Sequence, residues 1–387
     1  MNVVMKFGGS SVATIEKIQN VADIIIRKKK EASNIVVVVS AMGKTTNELI
    51  SLSKQISKRP DTRELDQLMS TGEMVSASLL SMALIEKGHD AISMTGNKAG
   101  FRTKGIHTKS KIEDVKTKNL DQALSEGKVV VVAGFQGINE RGDITTFGRG
   151  GSDTSAVALA AKLGFDCEIY TDVEGIYSVD PRRYKEAKKL DVLSFDEVME
   201  MAHLGAKVIE PRSVELAKKY NVKVYIALNT ADKKGTLITD GGNVLEKNVI
   251  NNISVIEDVL LVSFNAHKKK LSDIFLKLAQ RNINVDVISQ SEETISFTST
   301  NENEDIIAEL FEEENISYNF RRDLSKVSVI GNAMRSQPGV AASVFKIFSE
   351  NEIEFYQVST SEISISYIID KDKVDDVIRI LAQEFNL

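Results

Sequence analysis

The strongest constraint in this chain is an internal repeat in its last third. Sliding that region against itself by 70 residues, with no gap, aligns Phe275 with Phe345, Ile283 with Ile353, Ser289 with Ser359, Ser291 with Ser361, Glu292 with Glu362, Ile295 with Ile365, Ser296 with Ser366 and Asp305 with Asp375. Apolar patterning alone would reproduce the Ile and Phe matches but not the Ser, Glu and Asp ones. The segment therefore reads as two copies of one supersecondary unit. Each copy has the pattern strand, helix, strand, strand, helix, strand, which is a split βαβ arrangement.

The region before the repeat has a different texture. From residue 1 to about 240, short β-branched runs alternate with longer stretches of helical period, as expected of βα units around a buried parallel sheet. Strands are expected at 3–7, 35–40, 91–95, 128–134, 168–171 and 222–227, with amphipathic helices at 14–30, 64–87 and 152–163. A polar connection around 235–252 marks the change. For 387 residues, two or three domains are expected.

Composition removes several chemistries. Cys167 is the single cysteine and the four histidines have no metal-ligand spacing, so neither a disulfide framework nor a zinc site is expected. A net charge of −6 argues against a nucleic-acid footprint or an anionic membrane. The longest apolar runs, 35–39 and 129–133, are strand-sized, and MNVVMKFGGSS has no secretory pattern, so a cytoplasmic location is expected.

Two glycine loops carry the chemistry. Lys6-Phe7-Gly8-Gly9-Ser10-Ser11 follows an apolar strand and precedes a helix, so backbone amides and hydroxyls can approach an anion while Lys6 neutralises a phosphoryl group. On its own, such a Gly-Gly turn is more often a plain turn. Phe147-Gly148-Arg149-Gly150-Gly151-Ser152-Asp153-Thr154 repeats the device, with Ser152 as the expected N-cap of a helix ending at Gly164. Arg149 offers a planar fork for a carboxylate or phosphate. Asp153 either stabilises the helix dipole or orients cations. Gly43-Lys44-Thr45 is not a P-loop, since the leading glycine would fall at Val38, and 148–153 lacks the third glycine of a dinucleotide fingerprint. Glu73, in Ser70-Thr71-Gly72-Glu73, is an ordinary helix charge unless it faces a cleft. The loop Thr171 to Tyr177, followed by Asp180-Pro181-Arg182, could hold a nucleotide or be a plain turn.

Taken together, KFGGSS at 6–11, VVSAMGKTTNEL at 38–49, STGE at 70–73, AGFQG at 133–137, FGRGGSDTSAVALA at 147–160, YTDVEGIYSVDPR at 170–182 and LGAKVIEPRSVELA at 204–217 resemble the aspartokinases. MRSQPGV at 334–340 and STSEISIS at 359–366 resemble their paired ACT domains. The resemblance implies an α/β three-layer sandwich of amino-acid kinase type over 1–245, followed by two ferredoxin-like βαββαβ ACT domains at 255–323 and 324–387, with room for the two to interleave. It further implies transfer of the γ-phosphoryl group of ATP to the β-carboxylate of L-aspartate, the first step toward lysine, threonine and methionine. Mg²⁺ would arrive with ATP rather than in an all-protein metal site.

By the same resemblance, Lys6 and Asp153 would be catalytic. Thr46, Glu73, Phe135, Arg149 and Ser152 would bind aspartate. Lys6, Phe7, Gly8, Gly9, Thr171, Asp172, Tyr177, Arg182 and Lys207 would hold ATP. Asn284, Val285, Asp286, Gln290, Val340, Ala341, Glu354, Phe355, Ser361 and Glu362 would form effector sites for lysine or threonine in an ACT-mediated homodimer, with a higher oligomer or a separate small regulatory chain as further options. Some relatives have Thr at position 341 and Asn at 354, and a His is common at position 210, where this chain has Glu. Two other readings compete: a kinase for another acidic amino acid, and a catalytically weak ACT sensor. The STGE and FGRGGSD wording disfavours the first, and intact Lys6, Glu73, Arg149 and Asp153 disfavour the second.

Overall fold

The computed structural model describes residues 2–148, 150–206, 208–230, 233–240, 250–265, 271–291, 294–331 and 339–387. The chain divides into two compact units. The first comprises Met1–Ile176, Lys189–Ala202 and Lys207–Asn243; the second comprises Tyr177–Lys188, His203–Ala206 and Val244–Leu387.

In the first unit, the elements run β1 (Asn2–Phe7), α1 (Ile15–Lys29), β2 (Asn34–Val39), α2 (Thr45–Ile56), α3 (Thr62–Glu86), β3 (Ala91–Met94), β4 (Phe101–Lys104), β5 (Lys111–Val115), α4 (Lys118–Ser125), β6 (Val129–Ala133), β7 (Gln136–Ile138), β8 (Ile144–Thr146), α5 (Gly151–Leu163), β9 (Asp166–Thr171), β10 (Val192–Ser194), α6 (Phe195–His203), α7 (Pro211–Tyr220), β11 (Val224–Leu228) and β12 (Thr236–Thr239). Eight strands form one sheet in the order β10-β12-β11-β9-β1-β2-β6-β3, parallel throughout except for the β11–β12 pair. Both faces are covered, which is why 35–39 of β2 and all of β6 read as unbroken apolar runs. On one face, Val3, Met5, Phe7, Ile35, Val37 and Val39 pack with α1 and α3 through Ile18, Ile25, Leu80 and Leu84. Length and composition would let α3 cross a membrane, but here it is a core helix over the sheet. A small second sheet, β5-β4-β7-β8, was not expected from the sequence; its strands are three to five residues long and carry Arg102, Lys104, Gln136 and Thr145.

The second unit contains β13 (Asn252–Phe264), α8 (Leu271–Gln280), β14 (Asp286–Gln290), β15 (Ile295–Thr300), α9 (Glu304–Glu313), β16 (Tyr318–Ile330), α10 (Val340–Glu350), β17 (Gln357–Thr360), β18 (Ser364–Asp370) and α11 (Val374–Glu384). Its six-stranded sheet has the order β14-β15-β13-β16-β18-β17. The repeat is visible in space: α8 and α10, β15 and β18, and α9 and α11 each begin 69 or 70 residues apart. The copies share their two long strands. Phe264, Leu260 and Phe297 belong to one core with α8 and α9, whereas Ile253, Val327 and Tyr367 belong to another with α10 and α11. Asp258 and Asp323, both at positive φ (57°), interrupt β13 and β16 between these cores. The second copy differs from the expected six-element pattern: no described strand follows α11, and 252–256 of β13 pair with 326–330 of β16 instead.

Segment Tyr177–Lys188 groups with the second unit because Val179 lies in its core. Asn252 Nδ2 donates to Tyr177 O (3.1 Å), Ile253 N–H to Ser178 O (2.8 Å), and Arg183 pairs with Glu257 and Asp375.

Candidate active site

Neighbouring β9, β1, β2 and β6 place their C-terminal ends side by side, where open parallel sheets bind ligands. Strand alternation turns Phe7 into the core, stacked on Tyr170 (4.8 Å), and sends Lys6 to the opposite face. There Lys6 Nζ lies 2.7 Å from Asp153 Oδ1, with both side chains mostly buried. This is a close charge contact without hydrogen-bond alignment. After β1 the chain turns tightly through Gly8 and Gly9. A Cβ on Gly9 would stand 2.8 Å from Ala41 O, and Gly9 O accepts Gly43 N–H (3.0 Å), so the loops after β1 and β2 are locked together. The space beside Gly8 opens toward Lys6 Nζ, 3.5 Å from where a Cβ would be.

The second glycine loop leads into α5. Its N-cap is Gly150 at φ 65°, not Ser152 as expected, because the left-handed turn starts the helix two residues earlier. Ser152 instead sits buried in the first turn, with Oγ 3.0 Å from where a Cβ on Gly134 would stand. Asp153 occupies the first turn, close to the helix's positive end. Phe135 adopts φ 69°, a strained value for an aromatic residue. Two bonds hold it there: its N–H donates to Ser155 Oγ (2.9 Å) and its O accepts Phe147 N–H (3.0 Å). Ser155 and the buried Gln136, whose Nε2 donates to Ser70 O (2.8 Å), were missed in the sequence because each acts on backbone far along the chain.

Glu73 lies 3% exposed within α3. Gly72, beside it, lets the helix approach the β2–α2 loop, since a Cβ there would meet Ala41 Cβ at 2.8 Å. Glu73 Oε1 accepts Ala41 N–H (3.1 Å), and Oε2 is buried with no hydrogen-bond partner. Desolvation pushes its pKa up to about 7. A carboxylate half-satisfied in this way is shaped for a cation. Thr46 is half-buried in the first turn of α2 on the same loop.

Thr171 ends β9 and Asp172 follows it, with Thr171 Oγ1 donating to Asp172 Oδ1 (3.1 Å). Tyr177 and Arg182 belong to the second unit, where Arg182 turns onto Asp180. Arg149 and Lys207 lie outside the described residues. In the second unit, 284–290 and 354–362 fall on or beside the edge strands β14 and β17. Asn284, Asp286, Gln290, Glu354, Phe355, Ser361 and Glu362 are exposed, Val285 and Ala341 half-buried and Val340 buried. Lys326 Nζ pairs with Asp286, and Gln357 Nε2 donates to Ser296 Oγ (2.7 Å), linking the two halves.

A parallel sheet with glycine loops and a lysine–aspartate pair at its strand ends, followed by a duplicated βαβ module, defines an amino-acid kinase with ACT domains. The amino acid kinase family matches residues 1–228 and the ACT domain 327–385. The chain is 46% identical to aspartokinase 2 of Bacillus subtilis, over all of this chain and 98% of that one, and 43% identical to the aspartokinase of Geobacillus stearothermophilus, over all of this chain and 97% of that one. Among solved structures, Escherichia coli aspartokinase III with aspartate and ADP superposes with a TM-score of 0.83 at 25% identity, covering 99% of each chain. The same enzyme with lysine and aspartate gives 0.81. The chain belongs to the aspartokinase family and is an ATP-dependent amino-acid kinase.

Proposed function

We propose that this aspartokinase phosphorylates the β-carboxylate of L-aspartate, giving 4-phospho-L-aspartate and ADP, under feedback control by an end-product amino acid. The observation that carries the reading is Glu73. Its buried, unpartnered Oε2 stands beside the glycine cradle and calls for a cation, which the α-ammonium of an amino acid supplies.

Lys6 balances the charge of the transferring phosphoryl group, oriented by Asp153 at 2.7 Å. Backbone N–H groups around Gly8 and Gly9 take the phosphate oxygens, and Thr171 and Asp172 lie on the nucleotide side. Arg149 and Ser152 meet the α-carboxylate, Glu73 the ammonium, and Thr46 with Phe135 the rest of the substrate. One oxygen of the β-carboxylate attacks the γ-phosphorus as the bond to the β,γ-bridging oxygen breaks and ADP leaves. A carboxylate with an ordinary pKa of about 4 is already ionised at neutral pH, so alignment and charge neutralisation suffice and no general base is needed. Mg²⁺, arriving with ATP, would shield the phosphate charge, while the chain itself supplies Lys6 and the backbone N–H groups of the glycine loop.

Residues on β14, β17 and the N-terminus of α10 are proposed to take lysine or threonine. Such an effector inhibits by binding the inactive state more tightly. Assembly as an ACT-mediated dimer and a cytoplasmic location belong to the same reading. The test is ADP release with a panel of acceptors: turnover with L-aspartate and none with L-glutamate or N-acetylglutamate is expected. A preference for either of the latter overturns the substrate assignment.

A further inference from the structure

Two charges without an assigned role, one fully buried and one half-buried, converge on the chain just ahead of the second glycine loop. Asp66 lies on α3, seven residues before Glu73, and is fully buried. It accepts four hydrogen bonds from three groups: one from Thr146 Oγ1, two from the Thr108 N–H, which reaches both carboxylate oxygens (3.0 and 3.1 Å), and one from His107 Nδ1 (2.8 Å). Arg212, in the first turn of α7, donates Nη1 to Phe147 O (3.1 Å) and Nη2 to Ser110 O (3.2 Å), and burial lowers its pKa. Ser110 N–H donates to Thr146 O (3.0 Å). Gly148 has φ 80°, and a Cβ there would stand 3.2 Å from Thr108 O.

Segment 107–110 is thus a bracket. Asp66 grips one end and Arg212 the other, and its middle lies against Gly148. The same two charges also hold the loop itself, at Thr146 and Phe147. Enclosing Asp66 and partly desolvating Arg212 costs more than apolar packing of the same volume, so a role confined to filling the fold would be an expensive solution. What charges with directed bonds provide, and apolar packing does not, is a fixed register for the backbone leading into 148–150.

We propose that Asp66 and Arg212 are positioning residues that set the second glycine loop for the α-carboxylate of the acidic substrate. The inference rests on the reading that this loop, through Arg149 and the N-terminus of α5, binds that carboxylate. Loosening the bracket removes binding that is equal in the ground and transition states, which raises KM for aspartate and leaves kcat.

The experiment compares Thr146→Val, which removes the hydroxyl donated to Asp66 at nearly constant volume, with Thr146→Ser, which keeps it. Arg212→Lys tests the fork, and Arg149→Ala tests the underlying reading. Expected for Thr146→Val and Arg212→Lys is a rise of about tenfold in KM for aspartate, with KM for ATP, kcat and Tm close to wild type, and recovery in Thr146→Ser. The proposal is overturned if aspartate KM stays within about twofold in both variants while Arg149→Ala raises it. It is equally overturned if both KM values and Tm shift together. An unchanged KM in Arg149→Ala sinks the reading of the loop itself, and the proposal with it.

Discussion

Glu73→Gln tests whether the buried carboxylate is kept for substrate at a cost to the fold. Burial raises its folded-state pKa from 4.5 to about 7. The unfolded chain therefore loses the proton first, and the folded state is penalised for holding the ion; this penalty grows as pH rises from the unfolded pKa to the folded one and then levels off. Two-state linkage puts it at about 1 kcal/mol at pH 5 and about 3 kcal/mol at pH 8, a change of about 2 kcal/mol. The amide cannot ionise, so stability of Glu73→Gln relative to wild type should rise by about that much between these pH values, whatever constant cost its buried NH₂ group adds. Binding should move the other way. Losing one partner of a buried charge pair costs about 2–5 kcal/mol, so KM for aspartate should rise about 30-fold or more. In the wild type, kcat/KM for aspartate should fall about tenfold per pH unit below pH ~7, and the variant should lose this dependence. Urea unfolding at the two pH values and initial rates across the range read all three quantities. A stability difference flat with pH, or an aspartate KM within about twofold of wild type, refutes the reasoning.

Other outcomes follow from the same geometry. Lys6→Ala should lower kcat by two or more orders of magnitude with aspartate binding largely intact, measured by initial rates and calorimetry, because its ammonium faces the cradle and Asp153 rather than Glu73. Gly9→Ala should abolish nucleotide binding or folding of the loop, since its Cβ would meet Ala41 O at 2.8 Å; fluorescent-nucleotide titration checks this. Lysine, threonine or the two together should inhibit turnover, and no inhibition by any of these contradicts an effector role for the second unit.

Much of this architecture was legible because burial leaves marks on sequence. The runs 35–39 and 129–133 are apolar at every position because helices cover both faces of the sheet. The repeat was readable because α8 to α9 and α10 to α11 solve the same packing problem with the same spacing. What escaped depends on contacts distant in the chain. Asp66 and Arg212 look like ordinary helix charges, and their partners lie 41 to 102 residues away. The resemblance left room for the two modules to interleave, but that β13 serves two cores, divided at Asp258, shows only in the packing. Ser152 was the natural N-cap by residue type, but the left-handed φ of Gly150 decided the start of α5. In the case of Glu73, residue type gave only a helix charge; its meaning lies in Gly72, which brings α3 against Ala41.

Trapping of the acyl phosphate with hydroxylamine addresses the central claim most directly. With saturating ATP, Mg²⁺ and L-aspartate, aspartyl β-hydroxamate should form in step with ADP and be nearly absent in Lys6→Ala. ADP release without hydroxamate, or no product at saturating substrates, would contradict it.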